Sequence, residues 1–273
     1  MTLTWVDGQL AAGVPVHDRG FAYGDGLFET IKVIGRQPQL LDRHLQRLES
    51  GCRRLGIPCD PVSLGAQILT FSAELGDGVA KLMLTRGDGL RGYASPQPCQ
   101  PRTVLMGAPT PAYPRAHAEH GVCLYPCATR LAEQPALAGL KHLNRLEQVL
   151  ARGEWQDPAF AEGLMRDMSG RVIEGVFSNI FLVSKGVLQT PSLERCGVAG
   201  VMRAEILERA QRAGITVQVC DIALEQLLEA EEVFVCNSLY GIWPVRQLHT
   251  HVWSVGALTR KLQGLIADLS SGT

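Results

Sequence analysis

The chain has 273 residues, of which 46% are hydrophobic, and its formal net charge is −1. This length and hydrophobic content can fill one large core or two smaller ones, so we expect a two-lobed enzyme. The near-zero charge removes the long-range attraction that would favour nucleic acid or an anionic membrane as the main partner. A small molecule is therefore the expected partner.

The eight cysteines are scattered, and no two show the two-residue separation typical of zinc sites and redox dithiols. We therefore expect reduced thiols and no metal. The pairs His117/His120 and His249/His251 are weak alternatives, because no carboxylate lies at helical spacing to them. No apolar stretch approaches the ~18 residues of a membrane span, and no charged start precedes a long apolar run, so we expect a cytoplasmic protein.

Strand-like and helical patterns alternate over residues 1–107 and predict a first α/β domain. A strand over 28–34 ends at a Gly35-Arg36 turn. From Asp42, a good N-cap, apolar residues recur at helical spacing as far as Gly56. The rest of this domain is predicted as a helix over 63–74 and strands over 79–85 and 102–106.

Three prolines within 108–114 predict a linker, because they leave little room for a helix or a central strand. We place the linker at 108–120 and a second domain at 121–273. Its predicted helices are 140–152, 200–213, 224–230 and 257–269, and its predicted strands are 122–125, 163–166, 176–183, 215–219 and 233–236.

The commonest nucleotide-binding patterns are absent. There is no Gly-x-x-x-x-Gly-Lys-Ser/Thr loop, and Gly24-Asp25-Gly26 lacks the third glycine of a dinucleotide fingerprint.

Lysine is more informative, because only five of the 26 basic residues are lysines. Lys185 lies in a predicted turn and Lys261 on the last helix, while Lys32 and Lys81 lie in strands with one solvated face. Lys141 is the lysine that this context does not explain.

The run over 137–148, Leu-Ala-Gly-Leu-Lys-His-Leu-Asn-Arg-Leu-Glu-Gln, resembles the cofactor-lysine segment of the aminodeoxychorismate lyases. These belong to the fold-type IV pyridoxal-phosphate enzymes, a family that also contains branched-chain and D-amino-acid aminotransferases. The resemblance covers essentially the whole chain and implies two α/β (α+β) domains with the cofactor in the cleft between them, and a homodimer. Other family-like motifs occur in family order at 18–20, 23–30, 44–48, 174–181 and 200–203.

By this resemblance Lys141 forms the Schiff base with pyridoxal 5'-phosphate and later carries the substrate proton. A lysine with its ordinary pKa of ~10.4 is a poor base at neutral pH, so the site must lower that pKa by burial or nearby positive charge. From composition alone, a surface lysine at a helix start would be an equally good interpretation.

Glu174 resembles the carboxylate that hydrogen-bonds the pyridine nitrogen and keeps it protonated. Arg47 matches the arginine that binds the cofactor phosphate. Without the resemblance, Glu174 would be an ordinary residue at a strand end.

Backbone donors for the phosphate are expected from Val201 and Met202 at a helix start. Many aminotransferases have a threonine where this chain has Met202, so a hydroxyl contact is lost. Asn237 and Ser238, after the last apolar strand, could replace it, or they could simply cap the strand end.

The substrate is expected to meet Arg91 and Tyr93, in a glycine-rich loop similar to the family loop that presents a carboxylate-binding arginine. The alternative is a solvated loop arginine. Thr30 stands where branched-chain aminotransferases commonly have glycine, and we predict that its hydroxyl helps a leaving group to depart. The alternative is that Thr30 only favours the strand through its β-branch.

The resemblance implies a lyase that cleaves 4-amino-4-deoxychorismate into p-aminobenzoate and pyruvate, in folate biosynthesis. A D-amino-acid or branched-chain aminotransferase of the same fold would share Lys141, Glu174 and Arg47 and is the first alternative. A catalytically silent pyridoxal-phosphate-binding protein is the second. The run over 141–145 favours the lyase.

Overall fold

The computed structural model describes residues 3–89 and 91–269, and these fall into two units. Among the described residues, the first unit contains those up to Pro111 together with Leu140–Asn144, and the second contains Ala112–Gly139 and residues 145–269. Both units combine helices with β-sheet, which confirms the predicted α/β class. No helix in the described residues is long and apolar enough to cross a membrane.

The first unit is built on an antiparallel six-stranded sheet. In chain order its elements are β1 (Thr4–Val6), β2 (Gln9–Leu10), α1 (Arg19–Tyr23), β3 (Gly26–Ile34), β4 (Gln37–Pro38), α2 (Leu41–Leu55), α3 (Pro61–Leu75), β5 (Gly78–Thr85) and β6 (Arg102–Ala108). The strand order is β2-β1-β6-β5-β3-β4. Helices α2 and α3 pack against the sheet, and the core includes Ile31, Leu48, Ile68 and Phe71, each at most 2% exposed.

Strand β3 has two faces of different character, because successive side chains of a strand point to opposite sides of the sheet. Glu29 and Ile31 are buried, and Glu29 contacts side chains of α2. Phe28 and Thr30 are partly exposed on the opposite face. The strand therefore carries candidate site residues on both sides of the sheet.

The helix starts in this unit differ from their predicted positions. Leu40, with a left-handed φ of 54°, occupies the N-cap of α2, and Asp42 lies in the first turn. In α3 the side chain of Asp60 caps the helix, which begins two residues earlier than predicted. Helix α1 escaped prediction, because five residues are too few to show a helical period.

The second unit contains a nine-stranded sheet in the order β12-β11-β10-β13-β14-β7-β8-β9, with β15 paired to β14. Because β9 pairs with both β8 and β10, six of these strands form a closed ring. In chain order the elements are α4 (Arg115–His120), β7 (Val122–Leu131), α5 (Leu146–Arg152), β8 (Phe160–Asp167), β9 (Val172–Gly175), β10 (Asn179–Ser184), β11 (Val187–Pro191), α6 (Val201–Arg212), β12 (Val217–Cys220), α7 (Leu224–Leu228), β13 (Glu232–Asn237), β14 (Gly241–Leu248), β15 (His251–Val252), α8 (Ala257–Leu265) and a short 3₁₀ helix (Ala267–Leu269).

Two predicted elements of the second unit are divided differently in the structure. The predicted strand over 176–183 is a turn followed by β10, and β9 precedes the turn. The predicted helix over 140–152 begins only at Leu146. Residues 109–114 have no regular structure, whereas α4 occupies the rest of the predicted linker.

Candidate active site

The segment that carries Lys141 pairs with the start of β3. The amide of Phe28 donates to the carbonyl oxygen of Lys141 at 2.9 Å, and the amide of Leu143 donates to the carbonyl oxygen of Gly26 at 3.0 Å. These hydrogen bonds hold the segment extended, which is why the helix starts only after it. They also explain why this segment belongs to the first unit although the predicted second domain began at residue 121.

The amine of Lys141 lies 4.3 Å from the centroid of the Phe28 ring. The amine of Lys81 lies 5.3 Å from the same centroid. Thr30 is two residues along β3 from Phe28, so its side chain projects from the same face of the sheet, roughly 7 Å further along. The structure thus brings the two predicted catalytic residues, Lys141 and Thr30, to one face of β3.

Arg47 is held by a buried carboxylate on the other face of β3. Glu29, 1% exposed, accepts a hydrogen bond from Nε of Arg47 at 2.8 Å and a second from its Nη2, and it contacts Nδ1 of His44 at 2.5 Å. Burial raises the pKa of Glu29, but the charge of Arg47 and the hydrogen bonds from Arg47 and His44 outweigh burial and lower it to about 2. The carboxylate is therefore ionised and fixes the Arg47 guanidinium.

His44 completes this cluster as a neutral ring. Burial lowers the pKa of His44, so its Nδ1–H donates to Glu29 without adding a charge. Neither Glu29 nor His44 was among the predicted site residues. The spacing in the sequence could have indicated His44, because it lies three residues before Arg47, on the same helix face.

In the second unit, Glu174 is 4% exposed and lies where β9 pairs with β10. Its Oε2 accepts a hydrogen bond from the amide of Val198 at 2.8 Å. The charges of Arg145 and Arg203 interact with this carboxylate. Arg145 was not predicted as a site residue, although it lies in the motif around Lys141.

Helix α6 begins with Val201 and Met202, both buried, and no side chain caps its N-terminus. An uncapped helix start offers amide donors and the positive end of the helix dipole to an anion. Asn179 secures this start, since its Nδ2 donates to the carbonyl of Val198 at 2.9 Å. A Cβ on Gly200 would lie 2.0 Å from Oδ1 of Asn179, so a side chain there would displace that amide.

The remaining predicted residues lie in turns and loops. Oδ1 of Asn237 accepts the amides of Leu239 and Tyr240 at 2.9 and 3.1 Å, so its side chain caps the turn after β13. In the first unit, Arg91 and Tyr93 are exposed. No group of three or more His, Cys, Asp or Glu side chains that could hold a metal occurs within residues 3–89 and 91–269.

A carboxylate that sequence analysis missed supports the turn between Glu174 and Asn179. Glu162, on β8, is 0% exposed and accepts four hydrogen bonds from three amides and one hydroxyl. Burial outweighs these donors and raises the pKa of Glu162 to about 7. The donors are the amides of Gly163 (2.8 Å), Val176 (2.9 Å) and Phe177 (3.4 Å) and the hydroxyl of Ser178 (2.6 Å).

Comparison with known proteins confirms the predicted family. The amino-transferase class IV family matches residues 26–248. The chain is 41% identical to an aminodeoxychorismate lyase of Vibrio harveyi, over 95% of this chain and 98% of the relative. It is 30% identical to a putative branched-chain-amino-acid aminotransferase of Methanocaldococcus jannaschii, over 94% of this chain and 91% of the relative. A solved 4-amino-4-deoxychorismate lyase of Pseudomonas aeruginosa is similar with a TM-score of 0.96 and 62% identity, covering 97% of this chain and 98% of that chain.

The pKa of Glu162 leads to a prediction about stability. The folded state keeps a proton on Glu162 between its ordinary pKa of 4.5 and about 7, where the unfolded state has lost it. The contribution of Glu162 to the free energy of unfolding is therefore complete below pH 4.5. It is lost as the pH rises from 4.5 through 7, and the total loss is at most about 3 kcal/mol. Glu162→Gln should flatten the pH dependence of the unfolding free energy between pH 5 and 7, measured by urea denaturation.

Asp167→Asn is the matched control, since Asp167 is an equally buried carboxylate on the same strand. Burial raises the pKa of Asp167, but hydrogen bonds from Ser169 and Arg171 and the charge of Arg171 outweigh burial and lower it. This variant should lose stability without changing the slope between pH 5 and 7. Parallel curves for wild type and Glu162→Gln would show that Glu162 does not titrate in this range.

Proposed function

Because the chain belongs to the class IV amino-transferase family, we propose that it is a pyridoxal-phosphate-dependent lyase that converts 4-amino-4-deoxychorismate into p-aminobenzoate and pyruvate. The observation that carries the proposal is the near full-length similarity to two lyases of this name, both more similar in sequence than the aminotransferase relative. The product p-aminobenzoate places the reaction in folate biosynthesis, and we propose a cytoplasmic location.

The residues present fit pyridoxal phosphate chemically. In the first unit, Lys141 provides an amine for the aldehyde, and Arg47, oriented by Glu29, provides a cation for the phosphate. In the second unit, Glu174 is a buried carboxylate suited to a protonated pyridine nitrogen, and the uncapped start of α6 is suited to the phosphate. The backbone of Val201 and Met202 would supply donors, with Asn237 and Ser238 as further phosphate candidates.

When bound, the cofactor supplies an aldehyde that takes up the substrate amine and a ring that withdraws electrons from the carbon beside that amine. Lys141 removes the proton from this carbon. Glu174 holds a proton at the pyridine nitrogen. Thr30, on the same face of β3 as Phe28 and the Lys141 amine, donates or relays a proton to the enolpyruvate oxygen as the carbon–oxygen bond breaks. Arg91 and Tyr93 bind a substrate carboxylate.

An aminotransferase of the same fold is the second candidate, because the relative that is 30% identical carries that name. It would use Lys141, Glu174 and Arg47 in the same way. Thr30 distinguishes the two activities, because amino transfer has no departing enolpyruvate that needs a proton.

We also propose a homodimer with α5 in its interface. Leu146, Val149 and Leu150 are 76%, 64% and 63% exposed, and their spacing places them on one face of this helix. Three large apolar side chains on one exposed helix face are costly in water and are typical of a protein interface. A second copy of the chain would cover them.

The first test of the function measures pyruvate and p-aminobenzoate released from 4-amino-4-deoxychorismate, beside an assay for amino transfer. Wild type should release both products, and Lys141→Ala should release neither above background.

Borohydride reduction should fix the cofactor to Lys141, located by peptide mapping. Lys81→Ala is the matched control for fixation, because the Lys81 amine lies beside the same Phe28 ring. Attachment of the cofactor to Lys81, or amino transfer without pyruvate release, would contradict the proposal.

Thr30→Val tests the proposed proton donor, because it keeps the shape and strand preference of threonine but removes the hydroxyl. The variant should retain the cofactor and bind substrate, while pyruvate release slows by roughly 10²–10⁴-fold, the usual contribution of general-acid catalysis. Thr30→Ser, which keeps the hydroxyl, should restore most of the rate. Pyruvate release by Thr30→Val within about twofold of wild type would leave Thr30 a structural role only.

Leu150→Glu tests the proposed interface. A charge placed in an apolar interface should raise the dimer dissociation constant by roughly 100-fold or more, measured by sedimentation. Val62→Glu is the control, because Val62 is 83% exposed on α3, a helix that the proposal does not assign to the interface. Sedimentation of Leu150→Glu like wild type would remove α5 from the interface.

A further inference from the structure

Arg19 is a buried arginine to which the proposed function gives no role. It is the first residue of α1 and is 4% exposed. Its Nε donates to Oδ2 of Asp25 at 2.8 Å, and its Cζ lies 5.0 Å from the centroid of the Tyr23 ring. The carboxylate provides a negative charge beside the guanidinium, and the two contacts fix the plane of the guanidinium.

The other end of the guanidinium binds the backbone of the loop that contains Arg91. Nη1 donates to the carbonyl oxygens of Gly92 and Ala94 at 3.1 and 3.3 Å, and Nη2 donates to that of Tyr93 at 3.1 Å. Three successive carbonyls thus converge on one planar cation. A guanidinium has five N–H donors in a rigid fork, whereas lysine has a single ammonium, so lysine cannot reproduce this arrangement.

The N-terminal end of the same loop, at Asp88 and Gly89, is fixed by hydrogen bonds that do not involve this guanidinium. Arg102 donates to both carboxylate oxygens of Asp88 at 2.7 and 3.2 Å, and the amide of Gly89 donates to the carbonyl of His17 at 3.1 Å. A Cβ on Gly89 would lie 2.7 Å from Cδ of Arg19, so the chain passes close against this side chain. Arg19 therefore holds the C-terminal part of the loop, where Arg91 and Tyr93 lie.

We propose that Arg19 is a positioning residue for substrate binding, which holds residues 91–94 in the conformation that presents Arg91 and Tyr93 to a substrate carboxylate. The inference rests on the proposed function for the identity of the substrate. The contacts between Arg19 and the loop do not depend on it.

Arg86 offers a matched control on the same carboxylate. Its Nε donates to Oδ2 of Asp25 at 2.8 Å, as Nε of Arg19 does. Its Nη1 and Nη2 instead donate to the carbonyls of Gly56 and Leu55, at the end of α2, at 2.9 and 2.8 Å. The two arginines are both buried around one acid, but only the guanidinium of Arg19 donates to the carbonyls of residues 92–94.

The experiment compares Arg19→Lys with Arg86→Lys as holoenzymes. Both variants keep a positive charge for Asp25, and both should melt at a somewhat lower temperature than wild type. Arg19→Lys should raise KM by roughly 10–100-fold with kcat within about threefold of wild type, because the misplaced loop weakens binding more than chemistry. It should also accelerate trypsin cleavage after Arg91 by about tenfold, because the loop opens more often. Arg86→Lys should leave both KM and this cleavage near the wild-type values.

Equal changes in KM and cleavage for the two variants would overturn the proposal, since the effect would then come from general loss of packing around Asp25. Faster cleavage in Arg19→Lys with an unchanged KM would also overturn it, because the loop would not serve substrate binding. If wild type releases no pyruvate, the proposed function is wrong. The rates of trypsin cleavage after Arg91 in Arg19→Lys and Arg86→Lys would still show whether Arg19 holds the loop.

Discussion

The second unit depends on one buried carboxylate that has no cation among its hydrogen-bond donors. Glu162 gathers three backbone amides and a hydroxyl, and most of these belong to the turn between β9 and β10. That turn closes the ring of strands through the pairing of Glu174 with Asn179. Glu174 and Asn179 in turn hold the two polar groups of the Val198 backbone, just before α6. Glu174, the candidate partner of the pyridine nitrogen, and the start of α6, the candidate phosphate site, are thus positioned by the same turn.

The first unit also has a buried carboxylate, Glu29, but its pKa is shifted in the opposite direction to that of Glu162. Glu29 lies beside Arg47, which helps to lower its pKa to about 2, whereas burial raises the pKa of Glu162 to about 7. An ionised acid is suited to orienting a cation such as Arg47, the candidate phosphate ligand. Glu162, whose donors are neutral amides and a hydroxyl, is suited to supporting a turn. The two environments therefore suit the two tasks.

The family could be predicted from sequence, because a run of twelve residues around Lys141 is specific, and the same run makes Lys141 the candidate cofactor lysine. The extended conformation of residues 140–144 could not be predicted, since it depends on hydrogen bonds to β3, far away in the chain. Glu162 was missed because it lies just before the predicted strand over 163–166, and three of its four hydrogen-bond donors come from a turn 14 to 16 residues later in the chain. Arg19 was noted only as part of a motif, because its partners at 92–94 lie more than 70 residues away.

Under the proposed function, Lys141, Glu174 and Arg47 cannot distinguish the lyase from an aminotransferase, because both reactions would use them. Strand β3 carries the residue that would distinguish the two reactions, since its alternating side chains include Glu29, which orients Arg47, and Thr30, the proposed proton donor. Glu29 points to α2 and orients Arg47, while Thr30, the next residue, points to the face where the Lys141 amine contacts Phe28. A shift of one residue in the pairing of β3 would exchange these faces and would separate Glu29 from Arg47 and Thr30 from the face of the Lys141 amine. The register of eight residue pairs between β3 and β5 opposes such a shift, so one strand holds the contact with Arg47 and the proposed proton donor in fixed relation.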